Sequence, residues 1–308
     1  MKKIFFFIIF LISSQICYSE SLDYKGLKKI SKNSTFMDNK GKPYSEDIKD
    51  KKNTLLIIYN HGSEEDTITD PCKLKPGFGY TWDGAVVPAI LNLHNKKIKE
   101  LEIKIYRLCS GVKGMSNKDQ KKIRKSIKKG EELNLFTEYK QLKRQKIILS
   151  KAEELSAQGF KNIVLAGYSA GAWASLNLQS RFPKKFKGSI AFNPAFAGLK
   201  KEWQKKYPHW GAFRKHQVDI FKQTDSLNAI VFAHSNDTFE DPETLSFFRE
   251  FKNIEFVDYS EIKPSNCNWA DVDKKMPSSK GHNLPQSSCV TKYINDNNYL
   301  IKYLKKIF

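Results

Sequence analysis

Residues 162–173 read NIVLAGYSAGAW, and the reading of this stretch decides the fold. The apolar, branched run over 162–169 has the length of a buried parallel strand, and a helical pattern takes over at 171–181. A Gly-x-Ser-x-Gly sits where one gives way to the other. Such a turn lifts a serine oxygen above the edge of a sheet. Glycines at 167 and 171 suit it, because a side chain at either position would crowd the neighbouring strand or helix. A purely structural turn has no need of serine between them, so Ser169 is a candidate nucleophile.

Similar short apolar runs occur at 54–62 (TLLIIYNHG), 101–109, 186–194 and 228–237, with 254–261 as a sixth. Helical patterns fall between them at about 84–96, within 117–157, at 171–181 and 242–251, and near 290–306. Strand and helix alternate, which predicts an α/β class: a mostly parallel central sheet with helices on both faces. Three connections, 63–84, 195–226 and about 263–288, are longer than such units need. The first carries Phe78, Tyr80 and Trp82, the second Trp203, Tyr207 and Trp210, the third His282. All leave the C-terminal ends of strands, where open α/β sheets build their sites.

A serine hydroxyl needs an adjacent base, and the base an orienting acid. Of six histidines, His282 lies in a loop after the last strand among small and polar neighbours. His234, the competing base, falls at the end of a strand and reads as structural. Asp237 ends the strand NAIVFAHSND on the expected edge. Asp241, the alternative acid, stands directly before Pro242 and suits a helix cap better. An oxyanion would need backbone donors: the amide of Ala170, opening a helix, and that of Ser63, after the strand ending in Asn60, His61 and Gly62.

The order Ser169, Asp237, His282, with His61-Gly62 after an early strand, resembles the α/β-hydrolase superfamily over about residues 50–308. The resemblance implies a Ser-His-Asp triad, an oxyanion hole at Ser63 and Ala170, and a serine hydrolase of esterase or lipase type that uses no cofactor. Ser235 stands where that family commonly has glycine. Peptidase, thioesterase and acyltransferase chemistry would use the same parts. A different class of reading is a catalytically silent protein of the same fold that binds an anionic envelope component through its basic surface.

Residues 1–19, MKKIFFFIIFLISSQICYS, have two lysines, an apolar run from Ile4 to Ile12 and small residues near Ser19, as a cleaved secretory signal does. Nine apolar residues are too few to span a bilayer, which takes about 20. An N-terminal extension, 20–52, then leads into one domain, 53–308, in a periplasmic or secreted protein. Cys72, Cys109, Cys267 and Cys289 remain, an even number in an exported chain, which favours two disulfides. Three pairings are open; Cys72 with Cys109 and Cys267 with Cys289 join neighbouring elements. No cluster with metal-ligand spacing occurs. The net charge of +20 favours anionic partners, a small-molecule ester among them, while export argues against nucleic acid. The stretch Lys113–Lys146 has twelve Lys or Arg against four Asp or Glu; it reads as a solvated helix face, with a lid as the alternative. Oligomeric state leaves no trace in the sequence.

Overall fold

β3 (Thr54–Asn60) is buried at all seven residues, as a strand covered on both faces must be. It pairs in parallel with β5 (Leu101–Leu108) on one side and β6 (Asn162–Tyr168) on the other. β7 (Gly188–Phe192), β8 (Ser226–Ala233) and β9 (Lys252–Asp258) continue the parallel set beyond β6. At the other edge the short strands β1 (Thr35–Met37), β2 (Pro43–Tyr44) and β4 (Lys97–Ile98) add antiparallel pairs, β1 and β4 on β5 and β2 on β1. The order is β2-β1-β5-β3-β6-β7-β8-β9. This computed structural model describes residues 34–45, 47–62, 72, 85–110, 121–122, 125–126, 128–129, 140–196, 209–267 and 281–308.

Side chains alternate across the sheet, and helices close both faces. Leu55, Ile57 and Tyr59 of β3 face a core shared with α1 (Pro88–Leu91), α5 (Ser288–Asp296) and α6 (Tyr299–Ile307). Leu56 and Ile58 face the opposite core, with Ile148, Leu149 and Ala152 of α2 (Lys140–Ala157) and Ala174 and Leu178 of α3 (Ala170–Arg181). Trp173 and Leu176 of α3 extend that layer to Phe221 of α4 (His209–Phe221). The architecture is the expected α/β class, a mostly parallel central sheet with helices on both faces.

The structure departs from the sequence reading at several elements; β1 and β2 lie in the stretch 20–52 that read as an extension. The pattern at 84–96 yields one helical turn, α1, after which Asn95 adopts φ 59° and turns the chain into β4. The pattern at 290–306 is two helices, because Asn298 at φ 54° breaks it between α5 and α6. Residues 242–251 hold only a 3-10 turn at Ser246–Glu250. Asp241 and Thr244 bond each other's backbone amides at 2.9 Å, and Phe248 and Phe251 are drawn into the core below.

α4 lies inside the connection 195–226 that read as loop. Its buried residues are Phe213, Arg214, Gln217, Ile220 and Phe221, which is helical spacing. Arginine and glutamine on that face hid the apolar period. Arg144 is another correction: counted with the solvated basic stretch, it is 1% exposed on α2. Residues 1–33, most of the first long connection with Phe78, Tyr80 and Trp82, and also Trp203 and Tyr207, lie outside the described residues. Among the described residues no helix is long and apolar enough to cross a membrane.

Candidate active site

At the end of β6 the backbone turns through Ser169, with φ 55° and ψ −126°, a conformation costly for any residue with a side chain. Two glycines permit the turn. A Cβ on Gly167 would come within 2.5 Å of the Gly171 carbonyl carbon, and one on Gly171 within 2.1 Å of the Asn60 oxygen. α3 therefore starts directly against the end of β3. The turn is held from both sides: the Ser169 amide donates to the Phe192 oxygen at 3.0 Å, and the Ser169 oxygen accepts from Trp173 at 3.0 Å and Ala195 at 3.2 Å. Beneath it, Asn60 Nδ2 donates to Ser175 Oγ at 2.8 Å and to the Ala166 oxygen at 3.2 Å.

The structure brings Ser169, His282 and Asp237 together from three strand ends. His282 Nε2 is 2.9 Å from Ser169 Oγ, and its Nδ1 is 2.7 Å from Asp237 Oδ2. Asp237 is fully buried, and its Oδ1 accepts from the amides of Phe239 at 2.7 Å and Glu240 at 3.3 Å. With one oxygen held by backbone donors, the other is aimed at the imidazole. An Nδ1–H that donates to Asp237 leaves Nε2 with its lone pair toward the serine hydroxyl, the tautomer a general base needs. The ring lies 5.2 Å from that of Tyr168 and 4.7 Å from that of Phe239, centroid to centroid.

His234 and Asp241, the alternatives, are engaged elsewhere. His234 Nδ1 accepts from the Asn236 amide at 3.0 Å, so Nε2 carries the proton and donates to the Ile262 oxygen at 2.8 Å. Burial lowers its pKa. Asp241 caps the turn with Thr244.

Of the two expected oxyanion donors, Ala170 opens α3, where the first amides have no acceptor within the helix. Ser63 lies outside the described residues. The loop that leads to it is braced by Arg144, which donates to the His61 oxygen through Nη1 and to the Gly62 oxygen at 3.2 Å through Nη2. His61 Nε2 accepts from the Ser110 amide at 3.2 Å and Nδ1 donates to the Gly62 oxygen at 2.6 Å. Burial first, then the charges of Arg144 and Arg107, hold its pKa well below 6.5, so this imidazole is neutral. No sequence signal marked Arg144, whose partners are backbone carbonyls distant in the chain.

A buried ion pair supports the acid loop. Arg214 meets Glu240 at 2.7 and 3.0 Å, donates to the Thr244 oxygen at 2.7 Å, and lies over the rings of Trp173 and Phe247. Burial pushes Glu240 up to about 7 against the pull of that guanidinium. Cys72 pairs with Cys109 and Cys267 with Cys289, their Cα atoms 5.6 and 5.5 Å apart. Donor atoms of His61, Cys72 and Cys109 lie within 4.8 Å of one another, but both sulfurs are engaged in the disulfide.

No protein-family model matches the sequence, and no curated protein matches it. Among solved structures the chain is similar to Est1E from Butyrivibrio proteoclasticus, at 12% identity and a TM-score of 0.47 over 88% of this chain and 98% of that one. It is also similar to an S-formylglutathione hydrolase from Agrobacterium tumefaciens, at 11% identity and TM-score 0.39 over 67% and 74%. A third is a phospholipase/carboxylesterase from Dyadobacter fermentans, at 13% identity and TM-score 0.38 over 75% and 88%. The chemistry open to the site follows from its own geometry.

Proposed function

We propose that this protein of α/β-hydrolase fold is an exported serine hydrolase that cleaves carboxylic esters through an acyl-enzyme. The observation that carries the reading is the unbroken line from Ser169 Oγ through His282 to buried Asp237, with hydrogen bonds of 2.9 and 2.7 Å. Ser169 Oγ attacks the ester carbonyl while His282 Nε2 takes its proton. Asp237 holds the imidazole in place and offsets the charge it gains. The amides of Ala170 and Ser63 receive the oxyanion, each worth about 3 kcal/mol of barrier. The tetrahedral intermediate collapses, the alcohol leaves with the proton from His282, and water attacks the acyl-enzyme by the same route in reverse. No step calls for a cofactor.

A fluorophosphonate probe on the folded, oxidised protein tests this, followed by p-nitrophenyl esters of graded acyl length. Labelling in the wild type and none in Ser169→Ala is expected, with hydrolysis lowered at least 10³-fold in the variant. A wild type inert to probe and esters alike would rule the enzyme out and favour a protein that binds anionic material through its basic surface. Export rests on the N-terminal segment and on the two disulfides; an N-terminus at Glu20 on the protein recovered outside the cytoplasm is the expected result.

A further inference from the structure

We infer that Asn193 is a positioning residue for the base, clamping the backbone of His282, and that Tyr259 fixes the clamp; the inference rests on the reading of His282 given above. Asn193 follows β7 with φ 42°, a left-handed conformation that asparagine tolerates better than most residues. Its amide is tied to the end of β8 through the Phe232 oxygen at 2.9 Å. Thrown forward by that turn, its side-chain nitrogen donates to the Gly281 oxygen at 2.8 Å and to the His282 oxygen at 2.9 Å. Both amide hydrogens are thereby used. Two carbonyl acceptors leave one orientation for the side chain, since the reverse would set oxygen against oxygen.

The side-chain oxygen of Asn193 accepts from Tyr259 Oη at 2.7 Å. Tyr259 is itself tied to the Ala233 oxygen at 3.1 Å through its amide. Burial and the neighbouring Asp237 charge push its hydroxyl well above 10, so it remains a donor. Asn193 and Tyr259 are both fully buried. On its other side the same backbone is wedged against the acid loop: the Gly281 amide donates to the Asn236 oxygen at 3.0 Å, and a Cβ at 281 would lie 2.5 Å from His234 Nδ1. The base is thus fixed at its ring by Asp237 and at its main chain by Asn193. Movement of that main chain carries Nε2 away from Ser169, and a displacement of about 1 Å can cost on the order of 10²-fold in rate.

The experiment measures kcat, KM and melting temperature with p-nitrophenyl acetate for Tyr259→Phe, Asn193→Ala and the double variant. Expected are a fall in kcat of about tenfold for Tyr259→Phe and about 100-fold for Asn193→Ala, with KM within about twofold of wild type. The double variant should be no slower than Asn193→Ala alone, because Tyr259 acts through the amide it orients. Wild-type kcat in the folded single variants, or effects that multiply in the double, overturns the inference. Should Asn193→Ala fail to fold, Tyr259→Phe, which removes one oxygen atom, decides alone. A wild type inert to both ester and fluorophosphonate fells the hydrolase reading and this inference with it, whereas an active wild type with unaffected variants fells only the clamp.

Discussion

The main chain at Ser169 is strained, and the strain is confined to one residue that glycine could relieve. With φ 55° and ψ −126°, Ser169 carries a cost of about 1–3 kcal/mol, against up to about 1 kcal/mol of extra unfolded-state entropy for glycine. Ser169→Gly should therefore be more stable than Ser169→Ala by about 1 kcal/mol in urea unfolding, with neither variant labelled by fluorophosphonate. Equal stability of the two would show that the strain is no larger than the entropic cost of glycine, about 1 kcal/mol. Sequence pointed to serine at this position through its flanking glycines, and to Asp237 and His282 through their places after strands. It was silent on Asn193, Tyr259 and Arg144. Asn193 and Arg144 act on backbone carbonyls brought close only by the fold, and a carbonyl has no letter in a sequence; Tyr259 acts on the Asn193 side chain, 66 residues away.

The contact between β3 and α3 is the tightest constraint on the site. Gly171 touches the main chain of Asn60 and His61, and an added Cβ would stand 2.1 Å from the Asn60 oxygen. Backbone cannot yield as a flexible side chain would, so Gly171→Ala must push α3 off the sheet. A loss of about 3 kcal/mol is expected, at the upper end of what overpacking costs, together with loss of labelling as Ala170 and Ser169 shift. Thermal unfolding and probe labelling of this variant check both; a wild-type melting temperature would show that α3 has room to move. Element prediction succeeded where period and composition agreed, at β3, β5, β6, β7 and α3. It failed at α4, whose inner face carries Arg214 and Gln217. Their partners, Glu240 and Gln145, come from elsewhere in the chain, so a polar residue on a buried face read as a surface one.

Over the whole molecule, the buried imidazoles of His61 and His234 link folding to pH. Both pKa values are lowered by burial from 6.5, so the folded protein keeps these rings neutral where the unfolded chain protonates them. The stability they contribute is complete above pH 6.5 and is lost as pH falls below it. Glu240, raised to about 7, acts in the opposite sense over that range, because the folded state takes up its proton first. His61→Asn removes one histidine from this balance. Its stability, lower at pH 7, should fall less steeply between 6.5 and 5.5 than that of the wild type; parallel lines in urea titrations would refute a neutral, buried His61. The sequence by itself determined the α/β class, the serine turn and the places of Ser169, Asp237 and His282 after their strands, because strand period and turn chemistry are local. Only the tertiary structure decided which strand ends meet, which sulfurs pair and which buried amide and guanidinium groups brace the loops, because those contacts join residues far apart in the chain through a backbone that every residue shares.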